Sequence, residues 1–520
     1  MTWKLAAALL AGTALITATP AFAQDPAPEE AVPETPDADD TAADAAIANA
    51  APIDEAQARI ELLQAQVEAL QAAMEEIKTG LVKATPSWKG APLWEDEDEG
   101  WSFKPRGRIQ YDAGFVSNPD NIVNRNLGFN TRARRIRLGA EGAIPGGFGY
   151  KFEMDFANST VGFGDVILTY QGKGNPWNVA IGNMETNNGL EQQTSSRFTS
   201  FIERAAFDDA FVNTRRVGLN MGFVNKAGDF RANAGLFAAH SIDSSLDNEG
   251  WIAAARAVYS PLMGSTQLHF GANFQHRKFQ ANNNGGTSTS VGAPSGNQLA
   301  RYRARPFSQL TDVRFVDTGN FAAKSDNIIG LEFAAINKSL HVAAEGQYLK
   351  TDAYSPGDTF DFTESATLNL FPGSPGSVSA LTPSGNPSFM GGYVEAGYYF
   401  TGETRGYKGG TFDRTKVLKP FSKGGWGALQ LNGRVDYLDL DSGKLKNAFS
   451  NNFLTGVPTT SNSLSRGGKQ LGFLASLIWI PEDYMRFLLQ YSHSDITGGP
   501  FANTVEPTSS SSDPIDERSY

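Results

Sequence analysis

From Trp101 to Ser494 this chain alternates apolar and polar residues at period two, with turn signals every ten to fifteen residues. Period two is the strand repeat, because successive side chains of a strand point to opposite faces of a sheet. Arg108-Ile109-Gln110-Tyr111-Asp112-Ala113-Gly114-Phe115 shows it, as do Lys151 to Phe156 and Gln430 to Tyr437. A soluble sandwich also alternates, so the chemistry of the two faces decides. The polar set holds Arg, Lys, Glu, Asp, Gln and Asn in strand after strand, often with aromatics opposite. A transmembrane barrel needs this pairing, with a watery lumen inside, lipid outside, and aromatic girdles at both interfaces.

Connections support that reading. Ile144-Pro145-Gly146-Gly147 and Ile480-Pro481-Glu482-Asp483 are tight turns, whereas 280–299, 357–387 and 440–468 are long and rich in Asn, Gly, Ser, Thr or Pro. Short turns on one side and long loops on the other is the asymmetry of outer-membrane barrels. The expected fold is therefore all-β: a transmembrane antiparallel β-barrel of about 16 strands over residues 101–520, preceded by an N-terminal coiled-coil helix. A mean hydropathy of −0.32 disfavours a helical membrane protein but suits strands that are only half apolar. Cysteine is absent, which spares an exported chain from mispaired thiols.

The first hundred residues read differently. Lys4, an apolar run from Leu5 to Ile16 and the small-x-small site Ala21-Phe22-Ala23 make residues 1–23 a secretory signal peptide, too short in its apolar run to span a bilayer. Residues 24–52 are Pro, Ala and acidic, a disordered spacer. Over 53–84, Ile53, Ala56, Ile60, Leu63, Val67, Leu70, Met74, Ile77 and Leu81 alternate spacings of three and four. That is a coiled-coil seam, which needs other copies and points to an oligomer; the alternative is one amphipathic helix lying on its own protein. Residues 1–100 hold 19 acidic and 5 basic residues, leaving 39 basic and 37 acidic in the body. The net charge of −12 thus belongs to the leader and says nothing about the partner.

Several segments resemble the phosphate-selective porin O/P family. Tyr398-Tyr399-Phe400-Thr401-Gly402-Glu403-Thr404-Arg405-Gly406-Tyr407 is similar to its F-L-T-G-E-x-R-x-Y segment, and Leu429 to Leu440 to its W-E-L-x-x-R-Y-S-x-L-D-L stretch, with Leu429 and Gln430 in place of Trp and Glu. Arg134 to Gly142 resembles an early arginine-bearing strand. Phe201-Ile202-Glu203-Arg204 stands where the family has a short motif in an inward-folded loop. The resemblance implies a sixteen-stranded homotrimer in the outer-membrane lipid that passes small anions, with phosphate or polyphosphate preferred. The ending, Ser510 to Tyr520 with Pro514, does not alternate, so the closing strand is expected to be missing.

Anion selection requires positive charge at a narrow point, and the guanidinium fork suits phosphate. If Ile136 and Leu138 face lipid, parity turns Arg135 and Arg137 inward; the same test turns Arg108, Lys151 and Arg434 inward. Arg197 and Arg204 ride the non-alternating stretch 184–209, which either folds into the lumen or is an ordinary exposed loop. These seven residues are the candidate anion-binding and pore-lining set. Singly, each could instead balance wall carboxylates such as Glu141, Glu153 and Asp155, which keeps a general, weakly selective porin open. An enzyme is not expected: five scattered histidines, no G-x-S-x-G, no zinc spacing and no phosphate-binding Gly loop give no catalytic residues, metal site or cofactor, and nothing points to nucleic acid. A third reading is a tether that holds the envelope through a coiled-coil contact with peptidoglycan.

Overall fold

A computed structural model describes residues 51–84, 86–88, 90–117, 127–157, 161–239, 242, 250–279, 299–353, 381–446, 449–452, 457–460, 467–501 and 517–519. The expected signal peptide and most of the expected spacer lie outside these residues. The chain divides into two units, 1–80 and 81–520. The first contributes most of one helix, α1 (Ala51–Ala84), whose seam residues Ile60, Leu63, Val67, Leu70 and Met74 are all exposed in the single chain. The helix is therefore present where the heptads begin.

The second unit is a meander of fifteen strands of 8 to 17 residues: β1 (Trp101–Val116), β2 (Gly128–Ile144), β3 (Phe148–Asp155), β4 (Gly162–Tyr170), β5 (Trp177–Glu185), β6 (Arg215–Val224), β7 (Phe230–Ala238), β8 (Trp251–Tyr259), β9 (Thr266–Lys278), β10 (Phe321–Asn337), β11 (Leu340–Ala353), β12 (Ser388–Tyr399), β13 (Ala428–Asp439), β14 (Lys469–Glu482) and β15 (Met485–Thr497). Each pairs antiparallel with the next. A three-residue β16 (Glu517–Ser519) pairs with Asp495–Thr497 at the end of β15. Among the described residues no ladder joins β1 to the last strands. The two edges nevertheless approach, for Gly90, just ahead of β1, lies against the ring of Tyr484 between β14 and β15.

The sheet is apolar on the outside. Ile109, Leu331, Leu489 and Tyr491 are 84, 68, 72 and 70% exposed, while Asp326 and Asp436 on the other face are 0% exposed. In water such a surface would be a continuous aggregation patch; in hydrocarbon it is the favourable one. No helix among the described residues is long and apolar enough to cross a membrane. Aromatic contacts gather where short turns join strands, as in Phe148–Tyr170 and Trp177–Phe223 at centroid separations of 4.9 and 4.8 Å. These rings mark one interface girdle.

Turn lengths follow the expected asymmetry with two exceptions, the first being the six-residue β3–β4 connection on the long-loop side. The β12–β13 connection, on the short-turn side, runs 400–427 and contains a hairpin, Gly406–Lys408 paired with Thr411–Asp413. The sequence resemblance covers its first eight residues, 400–407, without revealing that it folds inward.

Candidate functional site

Three connections fold onto the polar, concave face of the sheet. The first is 186–214, between β5 and β6, with two short helices, α2 (Leu190–Gln193) and α3 (Ala206–Phe211). Its backbone donors are taken by side chains of distant strands: Glu191 N donates to Glu345 Oε2 at 3.0 Å, Ile202 N to Gln490 Oε1 at 2.8 Å, and Ala206 N to Asp436 at 3.3 Å. Ser476 Oγ donates to Ser200 O at 2.6 Å. Leu190, Phe201, Phe207 and Phe211 then pack with Tyr302, Phe389 and Tyr393 in a buried apolar cluster against the later strands. Of the two conformations that the sequence left open for 184–209, the structure adopts the inward one.

The second connection carries 301–318. Arg305 donates from N and Nη1 to Asp209 at 2.8 and 3.1 Å, and Gln309 O accepts from Arg132 Nη1 at 3.1 Å. The third is the 406–413 hairpin, which enters from the short-turn side. Phe412 N donates to Thr194 Oγ1 at 3.3 Å, and Arg405 donates to Ser200 Oγ at 2.8 Å and Phe198 O at 2.9 Å. Segments from both ends of the sheet thus meet at residues 194–200.

What remains open is a cavity of about 660 Å³ beside the early strands, bounded by β1 to β8, the first inward loop and residues 305–309. Eleven basic and six acidic side chains line it. The lining therefore has an excess of positive charge in a space with low-dielectric walls, which strengthens the positive potential there.

The candidate residues fall into three groups. Arg108, Arg135 and Arg197 line the cavity, and none of their hydrogen bonds goes to a carboxylate. Arg108 Nη1 donates to Ser196 Oγ at 2.9 Å, while its Nε is buried without an acceptor. Arg135 Nη1 donates to Gln110 Oε1 at 2.7 Å. Arg197 Nε donates to Ser195 Oγ at 3.2 Å, and its guanidinium sits 5.1 Å from the Phe198 ring centroid. Burial, with Arg106 and Arg414 nearby, pushes the Arg197 guanidinium below its ordinary value, so a bound anion would relieve it.

Arg137, Lys151 and Arg204 also line the cavity but are engaged. Arg137 bridges Glu153 at 2.6 Å and Asp155 at 2.7 Å, and Lys151 pairs with Asp165. Arg204 donates to the carbonyls of Glu191, Gln192 and Thr194 at 3.0, 3.2 and 2.9 Å, so it shapes the loop.

Arg434 does not line the cavity, which corrects its placement in the pore-lining set. It is buried under the first loop, paired with Glu191 and Glu395, and its guanidinium lies 4.6 and 4.1 Å from the Phe201 and Tyr393 ring centroids. Parity did turn it inward, but the loop covers that position.

Parity missed Arg134. The β1–β2 register shifts between Gln110 and Tyr111, which pair with Arg135 and Ala133 and leave Arg134 as an extra residue. This bulge lets two consecutive arginines reach the same cavity. Arg134 Nε and Nη2 bind both oxygens of Glu203 at 2.6 and 3.2 Å. Arg106, Arg215, Arg256 and Arg305 are further lining residues outside the expected set. Among the described residues no cluster of three His, Asp or Glu is placed to hold a metal ion.

Comparison with known proteins adds a family. The family of phosphate-selective porins O and P matches residues 103–500. A protein of Caulobacter vibrioides of unknown function is 35% identical over 421 residues, 79% of this chain and 72% of that one. Porin O of Pseudomonas aeruginosa is 29% identical over 193 residues, 35% of this chain and 42% of that protein. Among solved structures, the outer-membrane channel DcaP of Acinetobacter baumannii superposes with a TM-score of 0.40 at 13% identity, over 77% of this chain and 92% of that one. An anion-selective porin from Comamonas acidovorans gives 0.40 at 13% identity, over 77% and 90%.

Proposed function

The chain belongs to the phosphate-selective porin O and P family and is an outer-membrane porin, and on that premise we propose that it passes small anions, phosphate or polyphosphate foremost. The observation that carries this reading is the group of Arg108, Arg135 and Arg197, three guanidiniums that line one cavity with no carboxylate among their hydrogen-bond partners. Guanidinium forks bind phosphate oxygens in pairs, and charge-assisted bonds of this kind are about twice as strong as neutral ones. Arg137 and Lys151, held by wall carboxylates, keep the path hydrated and positive, and Arg204 fixes the loop that narrows it.

The path in this reading is eccentric. It follows β1 to β8, because the apolar cluster under the first loop fills the space against the later strands. The same reading takes the sheet as a closed barrel of sixteen strands and the protein as a homotrimer. The uncovered seam of α1 supports association between copies through a coiled coil, and that coiled coil could also meet peptidoglycan.

The test is the zero-current potential of the purified protein in a planar bilayer under a chloride gradient, followed by titration with phosphate. An anion-selective potential with chloride current blocked by phosphate is expected. A potential near zero or cation-selective, without block, would reduce the function to a general porin.

A further inference from the structure

The bulge in β2 presents Arg134 and Arg135 side by side to the cavity, yet the two are treated differently. Arg135 meets the amide of Gln110, whereas Arg134 is held at both ends of its fork by Glu203 of the first inward loop. The side chains of this ion pair are 18 and 12% exposed, and both residues line the cavity. A carboxylate is itself an oxyanion with two oxygens in the geometry that a guanidinium takes from phosphate. Glu203 therefore occupies a guanidinium that a passing anion would otherwise bind.

We propose that Glu203 is a specificity-determining residue of the channel, an internal competitor that keeps Arg134 out of the anion site and so sets how quickly a bound oxyanion leaves. The inference deepens the anion-channel reading and rests on it. A channel must bind its solute strongly enough to admit it and weakly enough to release it. Adjacent, uncompensated guanidiniums at Arg134 and Arg135, with Arg108 and Arg197 lining the same cavity, would hold a multivalent anion too long. One carboxylate, delivered by the loop, removes one of these charges without removing the others. The bulge is needed for this arrangement, since without the extra residue Arg134 would point to lipid.

The experiment uses the full-length protein in planar bilayers with four sequences: wild type, Glu203→Gln, Glu203→Asp, and the double variant Arg134→Gln with Glu203→Gln. Glu203→Gln is expected to move the zero-current potential further toward the chloride limit. It should lower the half-blocking phosphate concentration about tenfold, in proportion to roughly 1.4 kcal/mol, through longer blocked intervals. Glu203→Asp should return toward wild type, and the double variant should match wild type, because both partners of the pair are then neutral. If Glu203→Gln leaves the potential unchanged, or raises conductance while weakening block, the carboxylate only anchors the loop and the proposal falls. Failure of phosphate to block wild type would overturn the phosphate reading instead. The potential of Glu203→Gln against wild type still decides the role of Glu203 in that case.

Discussion

The hydroxyl of Ser200 donates to Glu395 Oε1 at 2.8 Å, joining the tip of the first inward loop to β12 across 195 residues of sequence. Arg405, just ahead of the short-turn hairpin, donates to the same Ser200 Oγ at 2.8 Å. One hydroxyl thus connects a loop, a strand and a hairpin from the opposite end, and the cavity owes its shape to such connections.

Replacing Arg108 or Arg135 with Ala should weaken phosphate block of chloride current about 10- to 100-fold, since one charge-assisted bond contributes roughly 1.5–3 kcal/mol. Lys at either position should recover only part, because a point charge cannot bind two oxygens in one plane. Arg137→Ala should have a smaller effect on block, as that guanidinium already serves Glu153 and Asp155. Half-blocking concentrations in planar bilayers check all three.

Arg434→Ala strands Glu191 and Glu395 in a buried setting. Breaking a buried pair from one side costs about 3–5 kcal/mol, so the loop should leave its place. A larger single-channel conductance and a lower temperature of unfolding on heated gels are expected. Neutralising both carboxylates in the same protein should restore part of the stability.

Gly189→Ala should perturb the same loop for a steric reason. A Cβ on Gly189 would overlap Oε1 of Glu345, although its backbone, with φ of −68°, is open to any residue. The expected outcome is a shifted loop with altered conductance and an unchanged strand content by circular dichroism.

Asp208 in α3 gives a pH dependence. Burial, and then the neighbouring Glu191 carboxylate, hold its acid well above the ordinary aspartate range. The folded protein consequently binds this proton more tightly than the unfolded chain does, and its contribution to stability falls as pH rises above about 4. Asp208→Asn should flatten that slope. Unfolding temperatures of the two proteins between pH 5 and 9 provide the comparison.

The chain has no cysteine, which allows a direct test of the helix seam. Leu63→Cys should form disulfide-linked dimers under mild oxidant if α1 is a coiled coil between copies, and Glu61→Cys, off the seam, should not. Equal cross-linking at both positions would indicate collision rather than packing.

The strands were legible because alternation persists over whole segments: β1 and β13 contain two of the three stretches that display it, and β3 contains all but the last residue of the third. The heptads likewise mark the helix that forms over Ala51–Ala84. The site was less legible, for two physical reasons. Parity assumes an unbroken pleat, so the bulge at Arg134 reversed the reading for residues ahead of it. Parity also assigns a face but not a cover, and Arg434 lies on the inner face beneath Phe201. The inward turn of 406–413 depends on contacts with Thr194 and Ser200, more than 200 residues away, which no local pattern carries.

The partners of the first inward loop impose an order on assembly. Glu345, Glu395, Asp436 and Gln490 follow it by up to 288 positions, and the last of them stands on β15. Contacts of such separation form late, because the closure entropy of the intervening chain must be overcome first. The strands can pair in sequence, neighbour by neighbour, but the loop has nowhere to dock until β11 to β15 are in place. On the reading proposed above, a chain in mid-assembly has an un-narrowed interior, and the constriction arrives in a single late step.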